Sequence, residues 1–332
     1  MRLIERDMER DSLPLVVIPN CTPTLAAFFE KEIDRFAGIA RVRMYVDEHD
    51  ITDESTILER AQGADAVIVL AFHVSDSLFD ALSTVRCYAF GGTGVANYVN
   101  VPKAQERGVR ICNARHYGDQ SVAEHAIALM FELTKHTGRM NDLMHADGGW
   151  PGCDAMQLSG MTLGIAGFGG IGRATARMGV GLGMNVIEWS RHPHEQEAAA
   201  LGVRSVPTLE DLFEQSDIVS LHITLNSETK GIVTRDLLDR LHPGALLINT
   251  ARSQLIEDGA LLDRLSRGDI AAGLDVFDTE PLPDDDPLRS QPHAVITPHN
   301  AWRTDAAIRG IAEQCVQAVV SWIQGGDYNA VV

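Results

Sequence analysis

With 332 residues and 45% apolar content, the chain has material for two domains with separate cores rather than one oversized core. Its 46 acidic against 28 basic side chains leave a net charge of −18, which repels a phosphate backbone, so a nucleic-acid partner is excluded at this stage and an anionic substrate would need a local cation. The five cysteines (Cys21, Cys87, Cys112, Cys153, Cys315) are odd in number, widely spaced and never in a C-x-x-C pair, so neither a disulfide framework nor a metal site is expected; with no signal peptide and no membrane-length apolar run, the expected location is a reducing cytoplasm.

The opening "MRLIERDMERDSL" alternates charged and apolar residues and is assigned no element. From residue 13, "LPLVVI", "RVRMYV" and "ADAVIVL" are short Val- and Ile-rich runs separated by helix-like stretches such as "TPTLAAFFEKEIDRF". That pattern predicts a parallel α/β sheet over residues 13 to about 116. Next, "SVAEHAIALMFELTKH" places Val122, Ala126, Ala128, Leu129 and Leu133 in one helical stripe, and "ADGGWPGCDAMQLSGM" reads as a linker.

After the linker the pattern restarts: "TLGIAG", "NVIEWS", "DIVSLH", "ALLINT", "IAAGLDVF" and "AVITPH" are six candidate buried strands, as a doubly wound dinucleotide-binding domain requires. The last helix carries Ile308, Ile311, Cys315, Val319 and Trp322 at helical spacing and stops at a Gly-Gly pair. No strand is predicted after it, so it is expected to return to the first domain. The cofactor domain, 119–299, is thus expected to be inserted between 1–118 and 300–332, a substrate-binding domain, with a cleft between them for a ligand.

The segment "GIAGFGGIG" supplies Gly167-x-Gly169-x-x-Gly172. Alone it is a weak signal, compatible with a bare tight turn; the apolar strand before it and the amphipathic helix after it carry the inference. In that setting the first glycine makes the turn, the second lets backbone approach a pyrophosphate, and the third allows close helix packing. An acid for the ribose hydroxyls is expected about 20 residues on. Ser190 stands there instead, 23 residues after Gly167, followed by Arg191. A hydroxyl and a guanidinium suit a 2′-phosphate, so NADP(H) is favoured, with NAD(H) the alternative if Arg191 is merely solvated. His192 and His194 are not read as metal ligands.

Three strand ends carry polar groups: "INTARSQLIEDGAL", "LDVFDTEPLP" and "ITPHNAW". With "GGTGVANYVN", "SVAEHA" and "GFGGIG", they make the chain resemble the D-isomer-specific 2-hydroxyacid dehydrogenase family from about residue 50 to 325. "WSR" and "TPHNAW" look closest to members that reduce glyoxylate and hydroxypyruvate. The resemblance implies two doubly wound parallel-sheet α/β domains, a Rossmann domain inserted into a flavodoxin-like substrate domain. It implies catalytic Arg252, Glu280 and His299. It also implies cofactor contacts from Gly167, Phe168, Gly169, Gly170, Ile171, Gly172, Ser190, Arg191, His222, Thr224, Thr229, Thr250 and Ala251, with Asp275 near the nicotinamide carboxamide. Substrate contacts fall to Phe72, His73, Thr93, Gly94 and Trp302, and a homodimer exchanging the 120–160 segment is expected.

The residues support that chemistry independently. Reducing a 2-oxo acid to the D-2-hydroxy acid sends a hydride to the carbonyl carbon and a proton to its oxygen. Glu280 is expected to keep His299 protonated as the donor, and Arg252 to hold the carboxylate and keto oxygens through its fork of N–H groups. Taken singly, His299 could be a surface histidine, Glu280 a loop charge and Arg252 half of a salt bridge; their shared place at strand ends argues otherwise. Three departures stand out: Ser253 and Thr224 replace a common glycine and proline, and "GVANYVN" lacks the usual aspartates. Two other readings remain open, a non-catalytic NAD(H)-sensing corepressor-like protein and a formate dehydrogenase; the latter is expected to carry glutamine in place of Glu280.

Overall fold

Buried Val- and Ile-rich runs alternate with helices along almost the whole chain, and they assemble as two separate sheets. A computed structural model describes residues 1–146, 150, 152–192 and 194–332. The chain divides into one unit of 1–117 with 304–332 and another of 118–303. Part of the expected linker, 147–149 and 151, lies outside the described residues.

The first unit contains β1 (Arg2–Arg6), β2 (Leu15–Ile18), β3 (Arg41–Val46), β4 (Ala66–Val69), β5 (Cys87–Phe90) and β6 (Arg110–Asn113) in the order β1-β3-β2-β4-β5-β6. Every residue of β2, β4 and β5 is buried, as strands covered by helices on both faces must be. The five parallel strands β2 to β6 follow the flavodoxin-like order. The sheet is not wholly parallel, however: β1 pairs antiparallel with β3 along the edge. Only Ile4 of β1 is buried, so this charged edge strand gives almost no apolar signal in the sequence.

Helix Asp305–Ile323 returns to this unit and packs on helix Pro23–Glu32, β5 and β6. Ile308, Ile311, Cys315 and Val319 are buried, while Trp322 is half-buried. No strand follows it, as expected, but the tail makes an isolated antiparallel bridge beside β6: Val331 N–H donates to Ile111 O at 2.8 Å and Asn113 N–H to Asn329 O at 3.2 Å. Four of the five cysteines are buried, and all are free.

The second unit contains β7 (Thr162–Ala166), β8 (Asn185–Trp189), β9 (Arg204–Ser205), β10 (Ile218–Leu221), β11 (Leu246–Asn249), β12 (Ala271–Leu274) and β13 (Ala294–Ile296). All pair in parallel in the order β13-β12-β11-β10-β7-β8-β9, the Rossmann arrangement with one strand added beyond β12. The sequence reading finds six of these seven; β9 has two residues and leaves no periodicity to detect. Helix Asp119–Lys135 packs on β11, β12 and helix Gly170–Gly181. Its buried face includes Val122, Ala126, Leu129, Met130 and Leu133, whereas Ala128, expected in that stripe, is exposed.

Candidate active site

At the end of β7 the fold requires two of the three glycines, and the third leaves a face of the turn open. Gly167 has φ +101°, and a Cβ there would stand 2.7 Å from the His222 backbone. A Cβ on Gly172 would stand 2.0 Å from Gly167 O, so helix Gly170–Gly181 can lie this close to the turn only with glycine at that position. A Cβ on Gly169 would meet nothing within 4 Å; its face is open. The helix begins at that open face without a side-chain cap, leaving the first N–H groups to receive an anion. Gly170 and Ile171 lie in this first turn, half-buried, while the Phe168 side chain is in the core and offers only its backbone.

Ser190 immediately follows β8, its Oγ donating to His192 O at 2.7 Å. Arg191 is exposed and ion-paired with Glu228. His222, at the end of β10, shares a 2.9 Å hydrogen bond with Ser220 Oγ, and burial pushes its imidazole down to about 3, which keeps it neutral. Thr224 is exposed, and its carbonyl accepts from Thr229 Oγ1 at 2.7 Å. Thr229 itself is buried, with its hydroxyl bracing the 224–229 turn rather than facing outward.

The ends of β11, β12 and β13 bring the three proposed catalytic side chains to one edge of one sheet. After β11, the buried Asn249 clamps the next loop: its Oδ1 accepts from Ala251 N–H at 3.0 Å and its Nδ2 donates to Arg252 O at 2.9 Å. Arg252 therefore leaves the sheet on a fixed backbone. Thr250 Oγ1 and Ser253 Oγ, on either side of it, are buried and have no hydrogen-bond partner among the described residues, which leaves polar atoms for a bound group to satisfy.

After β12, Asp275 is completely buried. Its carboxylate accepts from Thr297 Oγ1 at 2.6 Å and from the N–H groups of Asn300 and Ala301, each at 2.9 Å. All three donors belong to the loop that follows β13. That loop carries His299, a non-glycine residue at φ +51°. His299 Nδ1 and Glu280 Oε2 are 2.7 Å apart, and Glu280 Oε1 also accepts from Phe277 N–H at 3.0 Å.

Partial burial acts to raise the Glu280 carboxyl, but the hydrogen bonds from His299 and Phe277 and the charges of His299 and Arg252 outweigh it and hold the group below its ordinary range. A histidine held this way keeps Nδ1 on the carboxylate and turns Nε2 toward other groups, and among the described residues Nε2 has no partner. Arg252, Glu280 and His299 together can bind a carboxylate and move one proton. The glycine turn, the open Gly169 face and the uncapped helix fit a dinucleotide.

Trp302 follows this loop and is half-buried, close to Gly118. The remaining expected substrate residues are in the first unit. Phe72 is a core side chain and can offer only backbone, His73 is exposed and stacks on Tyr98 at 4.5 Å, and Thr93 is exposed beside Gly94. Sequence reasoning overlooks Asn249, Thr297 and His125; the first two stand inside the quoted motifs "INTAR" and "ITPHNAW", the third inside "SVAEHA".

Residues 127–301 match the family profile described as D-isomer specific 2-hydroxyacid dehydrogenase, NAD binding domain. A hydroxypyruvate reductase of Blautia hydrogenotrophica is 32% identical, over 86% of this chain and 90% of its own. A glyoxylate reductase of Korarchaeum cryptofilum is 33% identical, over 90% of this chain and 92% of its own. Among solved structures, the apo D-lactate dehydrogenase of Escherichia coli superposes with a TM-score of 0.82 at 27% identity, covering 96% of this chain and 100% of that one. The match over more than half of the chain, and relatives of this identity along nearly all of it, make this chain a member of the D-isomer specific 2-hydroxyacid dehydrogenases.

Proposed function

We propose that this chain reduces a small 2-oxo acid to the D-2-hydroxy acid, and catalyses the reverse oxidation, with His299 as the proton donor. The observation that carries this reading is the 2.7 Å contact between His299 Nδ1 and Glu280, with Arg252 close enough to help hold that carboxylate ionised. A bound reduced nicotinamide supplies the hydride. Arg252 grips the substrate carboxylate and orients the carbonyl; Nε2 of His299 delivers a proton to the carbonyl oxygen, and Glu280 stabilises the imidazolium before transfer. In the oxidative direction neutral His299 takes the hydroxyl proton. Hydride removal from formate needs no proton donor, and a carboxylate rather than an amide on His299 disfavours that reading. The named reductases among the relatives favour an enzyme over a sensor.

NADP(H) is the favoured coenzyme. Ser190 and Arg191 follow β8 where a carboxylate would repel a 2′-phosphate, and the Arg191–Glu228 pair is exposed, so exchanging Glu228 for a phosphate costs little. In the first unit, loops at 71–73 and 92–94 hold backbone N–H groups that bond to no acceptor among the described residues and suit a carboxylate. A second copy of the chain is the proposed partner: helix Thr137–His145 buries none of its residues, and Leu143, Met144, Trp150 and Met156 are exposed. No helix of the described residues is long and apolar enough to cross a membrane, and free cysteines fit a reducing cytoplasm.

The test is absorbance at 340 nm with NADPH or NADH against glyoxylate, hydroxypyruvate, pyruvate and phenylpyruvate. Oxidation with at least one pair is expected, with lower KM for NADPH. Coenzyme binding without oxidation by any acid would overturn the enzymatic reading, and a clear NADH preference would overturn the coenzyme assignment.

A further inference from the structure

We propose that His125, on the helix Asp119–Lys135, is a positioning residue for His299, acting through Thr297 and Asp275; the inference rests on the reading of His299 as proton donor. His125 Nε2 lies 2.9 Å from Thr297 Oγ1 and 3.5 Å from Asp275 Oδ1. Thr297 Oγ1 has a single proton, and its two acceptors are Asp275 Oδ1 at 2.6 Å and Leu274 O at 3.5 Å. The short contact takes it, because a carboxylate can only accept. Thr297 can then offer His125 only a lone pair. His125 Nε2 must be the donor, so the hydrogen bonds run in one direction, His125 to Thr297 to Asp275.

Asp275 is where this chain meets the catalytic loop. Asn300 and Ala301, the two residues after His299, hang from its carboxylate by their N–H groups at 2.9 Å each. Thr297 N–H donates to Leu274 O at 2.9 Å, and His299 N–H to Thr297 O at 3.0 Å. His299 has a left-handed backbone, φ +51°, which a residue with a side chain keeps only when its surroundings fix it. Those surroundings are this set of bonds. Glu280, in contrast, belongs to the loop after β12, so the 2.7 Å contact with His299 depends on two loops keeping register.

Without His125, Thr297 Oγ1 loses the donor that fills its lone pair and the wholly buried Asp275 loses the N–H that faces Oδ1 at 3.5 Å, so the Thr297 rotamer is no longer held from the helix side. The loop then relaxes and the imidazole moves away from Glu280. Among the described residues His125 has no hydrogen bond or ion pair with Glu280 or His299, so a polar effect on them passes through Thr297 and Asp275.

The experiment compares H125L, H125Q, T297V and the double variant H125L/T297V in the full chain. H125L and T297V should each lower kcat by up to about 100-fold, the scale of an ångström-sized misplacement, while coenzyme Kd measured by fluorescence stays within about twofold. The double variant should be no worse than the poorer single one, since both cut the same chain of bonds. H125Q retains an N–H donor at the Nε2 position and should recover most of the loss. A second readout is the downfield proton resonance of the His299–Glu280 bond, identified by its loss in H299N: it should shift or broaden in H125L and T297V and return in H125Q. Additive losses, an unmoved resonance, or H125L with kcat within about twofold of the native chain would overturn the proposal. If the native chain oxidises no coenzyme, the proposed function fails while the resonance still decides the role of His125.

Discussion

His299 and Glu280, 19 residues apart in sequence, meet Nδ1 to Oε2 at 2.7 Å. The contact fixes which imidazole nitrogen faces the carboxylate, and it leaves Nε2 for the proposed proton transfer. Replacing Glu280 with glutamine keeps the shape but removes the charge that stabilises the imidazolium. E280Q should lower kcat for oxo-acid reduction at pH 7 by about 10- to 100-fold, and H299A by about 100- to 10,000-fold, with coenzyme Kd nearly unchanged in both. Stopped-flow absorbance at 340 nm measures this; native turnover in H299A would remove His299 from the mechanism.

Glu280 also sets an expectation for pH. Partial burial works to raise its carboxyl, but the His299 and Phe277 hydrogen bonds and the Arg252 charge hold it below the ordinary 4.5. A depressed carboxyl stays ionised as pH falls, and its contribution is lost only on descending through the lowered value. The acid limb of kcat/KM should therefore lie below pH 4.5, outside the range from 5 to 8. Rates taken after brief acid exposure, with folding followed by circular dichroism, test this. A Glu280-dependent limb at or above 4.5, absent in E280Q, would contradict it.

Asn249 governs how firmly Arg252 is presented. It is buried at 1% exposure and bonds to both Ala251 N–H and Arg252 O. N249A leaves both backbone groups without that partner, at a cost of roughly 1–3 kcal/mol each where they stay dry. The expected result is a lower Tm, together with a KM for the oxo acid raised more than the KM for the coenzyme. Equal changes in the two KM values would show that Asn249 does not act through Arg252.

What the sequence revealed, and what it hid, follows from the range of the interactions concerned. The strands β2, β4 and β5 of one sheet and β10 and β11 of the other are buried throughout and read as apolar runs, so both sheets were legible, as was the glycine turn. Ile4 alone marks β1, and β9 is two residues long, so neither has a pattern strong enough to detect. At the site, the charged residues were legible because few other roles explain a charge at a strand end. Asn249, buried, and Thr297 and His125, half-buried, were not, since such a polar side chain is recognisable only by its partners, and those lie up to 172 residues away in the case of His125 and Thr297. At Phe72 the side chain serves the core, so only its backbone is available for the contact that its motif implies.

The proposed preference for NADP(H) requires that Arg191 be available to the coenzyme. It pairs with Glu228 at the surface, and such exposed pairs hold by at most about 1 kcal/mol. E228Q should free the guanidinium and lower the KM for NADPH by up to about fivefold while leaving that for NADH in place. R191A should do the reverse, raising the KM for NADPH alone. Parallel changes for both coenzymes would place the 2′-phosphate elsewhere.

Gly169 and Gly172 stand three residues apart and should fail in different ways. An alanine methyl at 172 would lie 2.0 Å from Gly167 O, a contact that moves either the helix or the turn. G172A should lower Tm by several degrees and weaken coenzyme binding with it, because the same displacement misaligns the N–H groups of the first turn. At Gly169 the methyl meets nothing within 4 Å, and φ is −76°, which alanine adopts freely. G169A should therefore keep or slightly raise the native Tm. Its methyl nevertheless occupies the open face that a pyrophosphate would approach, so coenzyme Kd should rise by about tenfold or more while the fold is intact. Calorimetric melts and coenzyme fluorescence titrations on the two variants separate these effects. Native affinity in a folded G169A would show that the pyrophosphate does not pass over this turn.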